Sequence, residues 1–322
     1  AIKLFKRRKL SPVELMKAII KRTEKVEPVI NAFTETFFDE ALVSARKSEA
    51  RYMKKGGRTR KLEGIPVAIK DEVPVKGRRC TSGSLIMKDY VADETAVFAQ
   101  RLFNAGAICH ARTATPEFCC AAVTTSRLWG TTRNPWNPKY TCGGSSGGSG
   151  ASLAAGTTTL ATGSDIGGSI RIPASCNGVV GFKPPYGRVP EMPGFNLDYY
   201  CHEGPLARTI ADTALMENVI AGPHPTDIAS IKPKLNIPEK LKGIRGWRIG
   251  YSLDLGFFKI DPDVRANTLR AVETFRSMGC IVEEVEMPWD ESCAKAAWDH
   301  LLHMFGASMA ALEKEHGDLM TD

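Results

Sequence analysis

The chain has 322 residues, 43% hydrophobic and 25% charged, with a formal net charge of +7. That length admits one large domain or two ordinary ones, and the composition is that of a globular protein, which excludes a disordered tail, a collagen-like repeat and a coiled coil. No stretch approaches the ~18–20 uninterrupted apolar residues of a membrane span, and the basic run Lys6-Arg7-Arg8-Lys9, with no aromatic platform or basic stripe beside it, reads as a solvated face and not as a nucleic-acid or membrane surface.

Ser11-Pro12-Val13-Glu14 supplies an N-cap, a proline at the first helical position and a capping-box Glu, so a helix is expected to about Val26. A second helix is expected over residues 37–51, and the basic, glycine-containing stretch 54–60 reads as a loop. Ile65-Pro66-Val67-Ala68-Ile69 is a short apolar strand ending at Lys70-Asp71. Residues 95–105 form a helix stopped by Gly106, and 107–111 the next buried strand. Further on, 247–251 and 281–285 read as strands around a helix over 262–278 with Leu269, Val272 and Phe275 inward, whereas the proline-rich stretch 223–242 reads as a loop or surface crossing. Alternation of this kind predicts an α/β fold.

Nine cysteines, an odd number with no CxxC pair, predict free thiols in a reducing cytosol and argue against a disulfide framework or a zinc site. His300 and His303 can share a helical face but lack a third ligand, so no metal is expected. The chain starts at Ala1 with no charged-then-apolar leader, and no secretory signal is read in it.

The chemistry is concentrated in two of the places where the 29 glycines cluster. The first is Cys142-Gly143-Gly144-Ser145-Ser146-Gly147-Gly148-Ser149-Gly150, leading into a short helix over 151–156. A flexible linker is one reading, but the apolar flanks would bury it. A phosphate loop is another, but no Lys-Ser or Lys-Thr follows the glycines. The second cluster is Gly163-Ser164-Asp165-Ile166-Gly167-Gly168-Ser169-Ile170-Arg171-Ile172-Pro173, where glycines just before a serine let backbone N–H groups converge beside its hydroxyl, as an oxyanion hole requires. A serine nucleophile needs a base. His110 lies in a buried strand and the other five histidines sit in no motif, which makes Lys70 the better base: burial at the end of an apolar strand favours the neutral amine.

Lys70, the run Gly144-Ser145-Ser146-Gly147-Gly148-Ser149 and the run Gly167-Gly168-Ser169-Ile170-Arg171-Ile172-Pro173-Ala174 together resemble the amidase signature family. The likeness extends from the Leu10–Leu15 region through Thr115-Pro116-Glu117-Phe118, Arg133-Asn134-Pro135-Trp136-Asn137 and Gly178-Val179-Val180-Gly181-Phe182-Lys183-Pro184 to about Pro288. It implies a single large domain over 1–322 that lacks a C-terminal portion, a mixed central sheet covered by helices on both faces, and a catalytic core over 63–190. It implies hydrolysis of a carboxylic amide by a Ser–cisSer–Lys triad with Ser169 as nucleophile, Ser145, after a cis peptide bond, as relay, and Lys70 as base. Backbone N–H groups of Ile166, Gly167, Gly168 and Ser169 would hold the oxyanion. Ser146 and Asp165 would support the site by hydrogen bonds, Arg171 would join them or form a structural ion pair, and Ser149 would cap its helix. No cofactor is implied, the partner is a small amide substrate and a homodimer stays open; the free thiols lead to the expectation of a cytoplasmic location.

Cys142, Asn177, Pro185 and Ala114 depart from the commoner family pattern without removing a catalytic group. Two alternatives to a stand-alone amidohydrolase remain: the amidase-like subunit of a transamidation complex that takes ammonia from glutamine for aminoacyl-tRNA, and a non-catalytic binding protein of the same fold.

Overall fold

In the computed structural model, which describes residues 1–193 and 195–321, the chain parts into two compact units. The larger comprises Ala1–Glu239 with the residues from Leu312 on; the smaller is Lys240–Ala311.

The larger unit runs α1 (Ile2–Lys6), α2 (Pro12–Ile30), β1 (Phe33–Thr36), α3 (Phe38–Met53), β2 (Pro66–Lys70), α4 (Val97–Asn104), β3 (Ile108–Thr113), the small hairpin β4 (Thr125–Ser126) and β5 (Gly130–Thr131), α5 (Gly147–Ala155), β6 (Leu160–Asp165), α6 (Arg171–Asn177), β7 (Val180–Gly181), β8 (His202–Ala207) and α7 (Ile210–Ile220). The expected start of α2 is present as a full capping box: Ser11 Oγ accepts from Glu14 N–H and the Glu14 carboxylate accepts from Ser11 N–H. The helix outruns its expected end, passing through Pro28 to Ile30, where Asn31 caps it in the left-handed region at φ 50°. Pro removes one N–H and disfavours a helical residue before it; two more residues complete the turn all the same.

Among the described residues, six strands make one mixed sheet in the order β1-β3-β2-β6-β8-β7. β2 pairs parallel with β3 and β6, while β1, β7 and β8 add antiparallel contacts, so the α/β mixed sheet expected from the sequence is the one found. Strand alternation sorts β2 between two cores. Val67 and Ile69 pack in the cluster that holds Phe98 and Leu102 of α4 and Met216 and Ile220 of α7. Ala68 faces the other way, into the cluster of Leu153 from α5, Ile170 and Leu206. Helices therefore cover the sheet on both sides, and each large apolar side chain fully buried this way contributes roughly 1.5–3 kcal/mol.

The smaller unit contains a parallel pair, β9 (Arg248–Tyr251) with β10 (Ile281–Glu284), joined through α8 (Pro262–Ser277). Val272 of α8 is buried as expected and Leu269 half-buried, but Phe275 is exposed, against the inward position read from the sequence. Helix α9 (Glu291–His316) follows. No helix among the described residues is long and apolar enough to cross a membrane.

Candidate active site

Lys70 closes β2 at the carboxyl end of the parallel strands, where open α/β sheets place their ligand sites. Its side chain is 0% exposed. Nζ lies 2.8 Å from Ser145 Oγ, 2.9 Å from Ser164 Oγ and 2.9 Å from Glu72 Oε1, which uses all three donors of an ammonium. This corrects the expectation of a neutral resting amine. Burial does press the pKa down, as reasoned, but the Glu72 carboxylate works the other way, and its 2.9 Å ion pair with Nζ is the geometry of a charged lysine. The Cys119 thiol adds no charge at neutral pH, because burial and Glu72 push it well above the usual thiol range.

Ser145 stands at the entrance to α5, after a cis Gly144–Ser145 peptide bond. Residues 142–150 are buried throughout, which removes the linker reading. Close approach explains the glycines: a Cβ on Gly144 would stand 2.7 Å from Ala121 O and Val123 N, and one on Gly148 2.4 Å from Ala114 N. Thr124 clamps the loop, donating through Oγ1 to Gly143 O at 2.9 Å and accepting from Gly147 N–H at 3.1 Å. Ser149 is no cap. It lies inside α5, donating from Oγ to Thr162 O and sharing a 2.7 Å bond with Thr113 Oγ1, so it ties the helix to β6 and β3.

Ser169 lies in the loop after β6, half-buried. The loop is wound around Asp165, which accepts from the N–H groups of Gly168, Ile170 and Arg171 and from the Arg171 guanidinium at 2.9 and 2.8 Å. Burial acts to raise the Asp165 pKa, yet the Arg171 bonds and the Lys183 charge, 3.3 Å away, bring it down to about 2. Ser146 N–H donates to Ser169 O at 3.2 Å, and Ser146 Oγ to Ser164 O, so the two glycine clusters meet here. The Ser169 hydroxyl makes no hydrogen bond among the described residues. Of the four N–H groups assigned to an oxyanion hole, that of Gly168 is taken by Asp165, whereas those of Ile166, Gly167 and Ser169 have no acceptor among the described residues.

Sequence reasoning singled out neither Glu72, Ser164, Thr124 nor Lys183. Glu72 carried the one usable signal, since a carboxylate two residues from a base at a strand end is within reach of it. Thr124 and Lys183, whose Nζ donates to Ile166 O at 3.0 Å, become neighbours of the site only through folding.

Residues 14–319 match the family model described as Amidase, and the chain belongs to that family. It is 38% identical over 296 residues to an acylamidase of Rhodococcus erythropolis, covering 90% of this chain and 62% of that protein. It is 36% identical over 292 residues to a glutamyl-tRNA(Gln) amidotransferase subunit of Geobacter metallireducens, covering 88% of this chain and 59% of that one. Among solved structures, a bacterial aryl acylamidase of the amidase signature family superposes with a TM-score of 0.89 at 33% identity, over 98% of this chain and 66% of the other. The chain thus spans about three fifths of the length of the curated relatives it matches.

Proposed function

We propose that the protein is an amidohydrolase that cleaves a carboxylic amide through a Ser169 acyl-enzyme, with Ser145 as relay and Lys70 as base. The observation that carries this reading is the 2.8 Å contact between the fully buried Lys70 amine and the Ser145 hydroxyl, on a loop hydrogen-bonded to the backbone of Ser169. Ser169 Oγ attacks the carbonyl carbon while its proton passes to Ser145, whose own proton passes to the Lys70 lone pair. The N–H groups of Ile166, Gly167 and Ser169 receive the developing oxyanion, a role worth about 3–4 kcal/mol per donor where one has been removed elsewhere. The protonated Lys70 returns its proton through Ser145 to the leaving nitrogen. Water then attacks the ester by the same route and releases the acid. Asp165, held by Arg171 and Lys183, keeps the nucleophile loop in place. The free cysteines favour a reducing, cytoplasmic setting.

Turnover of a panel of aryl and aliphatic amides by the purified chain tests this. Hydrolysis that Ser169→Ala abolishes is expected, and hydrolysis that survives Ser169→Ala would overturn the assignment. A second reading is favoured by the comparable identity to the amidotransferase relative: here the same residues would release ammonia from glutamine for a partner. Glutaminase activity that appears only on adding a partner, with no simple amide cleaved alone, selects it.

A further inference from the structure

The proposed mechanism needs a neutral Lys70, yet the resting site holds an ammonium with all three donors engaged. The nearest group able to take its extra proton is Glu72. Glu72 Oε1 is 2.9 Å from Lys70 Nζ and accepts from Ser164 Oγ at 2.6 Å, while Ser164 Oγ also accepts from Lys70 Nζ at 2.9 Å, so proton donor and acceptor are joined both directly and through one hydroxyl. The other Glu72 oxygen accepts from the Cys119 thiol. We propose that Glu72 is a positioning residue that holds the proton Lys70 must release, so that the working base is a Lys70–Glu72 pair sharing one proton. The inference rests on the triad reading above and deepens it.

The step balances without any external partner. Lys70–NH3⁺ with Glu72–COO⁻ becomes Lys70–NH2 with Glu72–COOH: one N–H bond breaks, one O–H bond forms, and the net charge of the pair stays at zero. Rotation about the Cε–Nζ bond turns the freed lone pair toward Ser145, whose proton it accepts as Ser169 attacks. Both forms carry the same number of protons, so the fraction of competent enzyme does not change with pH between the two titrations.

The other charges near the pair are balanced at neutral pH: the buried Arg112 guanidinium beside Cys80 is paired with Asp71 at 3.7 Å. The groups that face Glu72 are Lys70 on β2, Cys80 and Cys119 on the loops, Glu191 in the stretch between β7 and β8, and Cys201 and Glu203 at β8, where Glu203 is the cross-strand partner of Ser164. Burial, reinforced by neighbouring carboxylates, raises Glu191 to about 8 and Cys80 to about 12, and lifts Glu203, Cys119 and Cys201 well above their usual ranges. All of these are mainly uncharged at pH 7. Glu72 itself is held below the ordinary carboxylate range: burial opposes this, and the Lys70 charge with the Cys119 and Ser164 bonds prevails.

The test is the pH profile of kcat/KM for wild type, Glu72→Gln and Glu72→Asp, with the Lys70 titration followed by NMR on protein carrying 15N-lysine. Wild type is expected to show no rising limb from Lys70 below the Glu191 step near pH 8. Glu72→Gln removes both the proton acceptor and the charge that holds the ammonium, so Lys70 must lose its proton to solvent. Its profile acquires a limb that rises with pH, its activity at pH 7 falls on the order of tenfold or more, and the Lys70 midpoint drops by at least about one unit as burial takes over. Adding Glu191→Gln leaves that limb in place, which separates it from the group near pH 8. Glu72→Asp restores the wild-type profile. An unchanged profile in Glu72→Gln, or a uniform loss at every pH that Asp does not rescue, would overturn the proposal. The NMR midpoint needs no turnover: an unshifted Lys70 in Glu72→Gln rejects the Glu72 role by itself, whereas wild type that cleaves no amide rejects the amidohydrolase reading.

Discussion

A lysine amine serves as a base only if something removes its extra proton, and at Lys70 two opposing influences are visible. Burial favours the neutral form and Glu72 favours the charged one, and the 2.9 Å ion pair between Lys70 and Glu72 marks the resting lysine as charged. Lys70→Ala is expected to lose turnover by at least about 100-fold, the lower end of what a positioned acid or base supplies. Lys70→Arg is expected not to restore it, because a guanidinium keeps its proton. Steady-state kinetics of both variants checks this, and full activity in either removes Lys70 from the mechanism. Arg171 is half-exposed and shares Asp165 with Lys183 and three backbone N–H groups, so its loss is expected to weaken the nucleophile loop less than Asp165→Asn does; relative melting temperatures and kcat values of the two variants decide it.

The glycine-rich start of α5 is a segment packed against backbone from both directions. Gly148→Ala places a Cβ 2.4 Å from Ala114 N and 2.5 Å from Ala32 O, neither of which is the movable end of a side chain. Overpacking of this kind costs about 1–3 kcal/mol, and urea unfolding of the variant is expected to show it as a lower midpoint with an unchanged slope. Much of this level is legible in the sequence: the capping box of α2, the β2 strand ending in Lys70, the β3 strand with its buried His110, and the two glycine clusters all carry local signals that act over a few residues. β1, β6 and β8 are not, because Phe33-Thr34-Glu35-Thr36 and the glycine-bearing β6 and β8 have little apolar periodicity and become strands only by pairing. Helix α7 carries a local signal of its own, since Thr209 caps it by accepting from Asp212 N–H. The proposed triad is a reading of motif and spacing, whereas the bonds of Ser164 to Lys70 and Glu72 and of Thr124 to Gly143 and Gly147 join distant segments. That difference is why the sequence points to the wrong resting charge on Lys70: burial can be inferred from an apolar strand, but the ionic partner appears only in the fold.

At the scale of the whole molecule, buried groups pull stability in opposite directions on acidification, and His110 and Asp165, with Glu63, act toward its loss. His110, packed edge-on to Phe33 and stacked with Phe38, is driven by burial down to about 3, so it is neutral when folded. Its contribution is complete above the ordinary histidine value of ~6.5 and is lost as pH falls toward 3. Asp165, at about 2, adds a second loss as pH drops from its ordinary value of ~3.9 toward 2. Glu27, Glu191 and Glu217, raised by burial to about 7, 8 and 7, act the other way and gain stability over part of the same range, so the His110 part is read as a difference: His110→Gln is expected to lose less melting temperature than wild type between about pH 6.5 and 4, and an equal loss would contradict it. The most direct test of the central claim is intact-protein and peptide mass spectrometry after incubation with a fluorophosphonate that mimics the tetrahedral intermediate. One adduct on Ser169, formed by the folded chain and suppressed by Lys70→Ala and by Ser145→Ala, is the expected result. No adduct on folded protein, or an adduct on another serine, would contradict the assignment of Ser169, Ser145 and Lys70 as one catalytic unit.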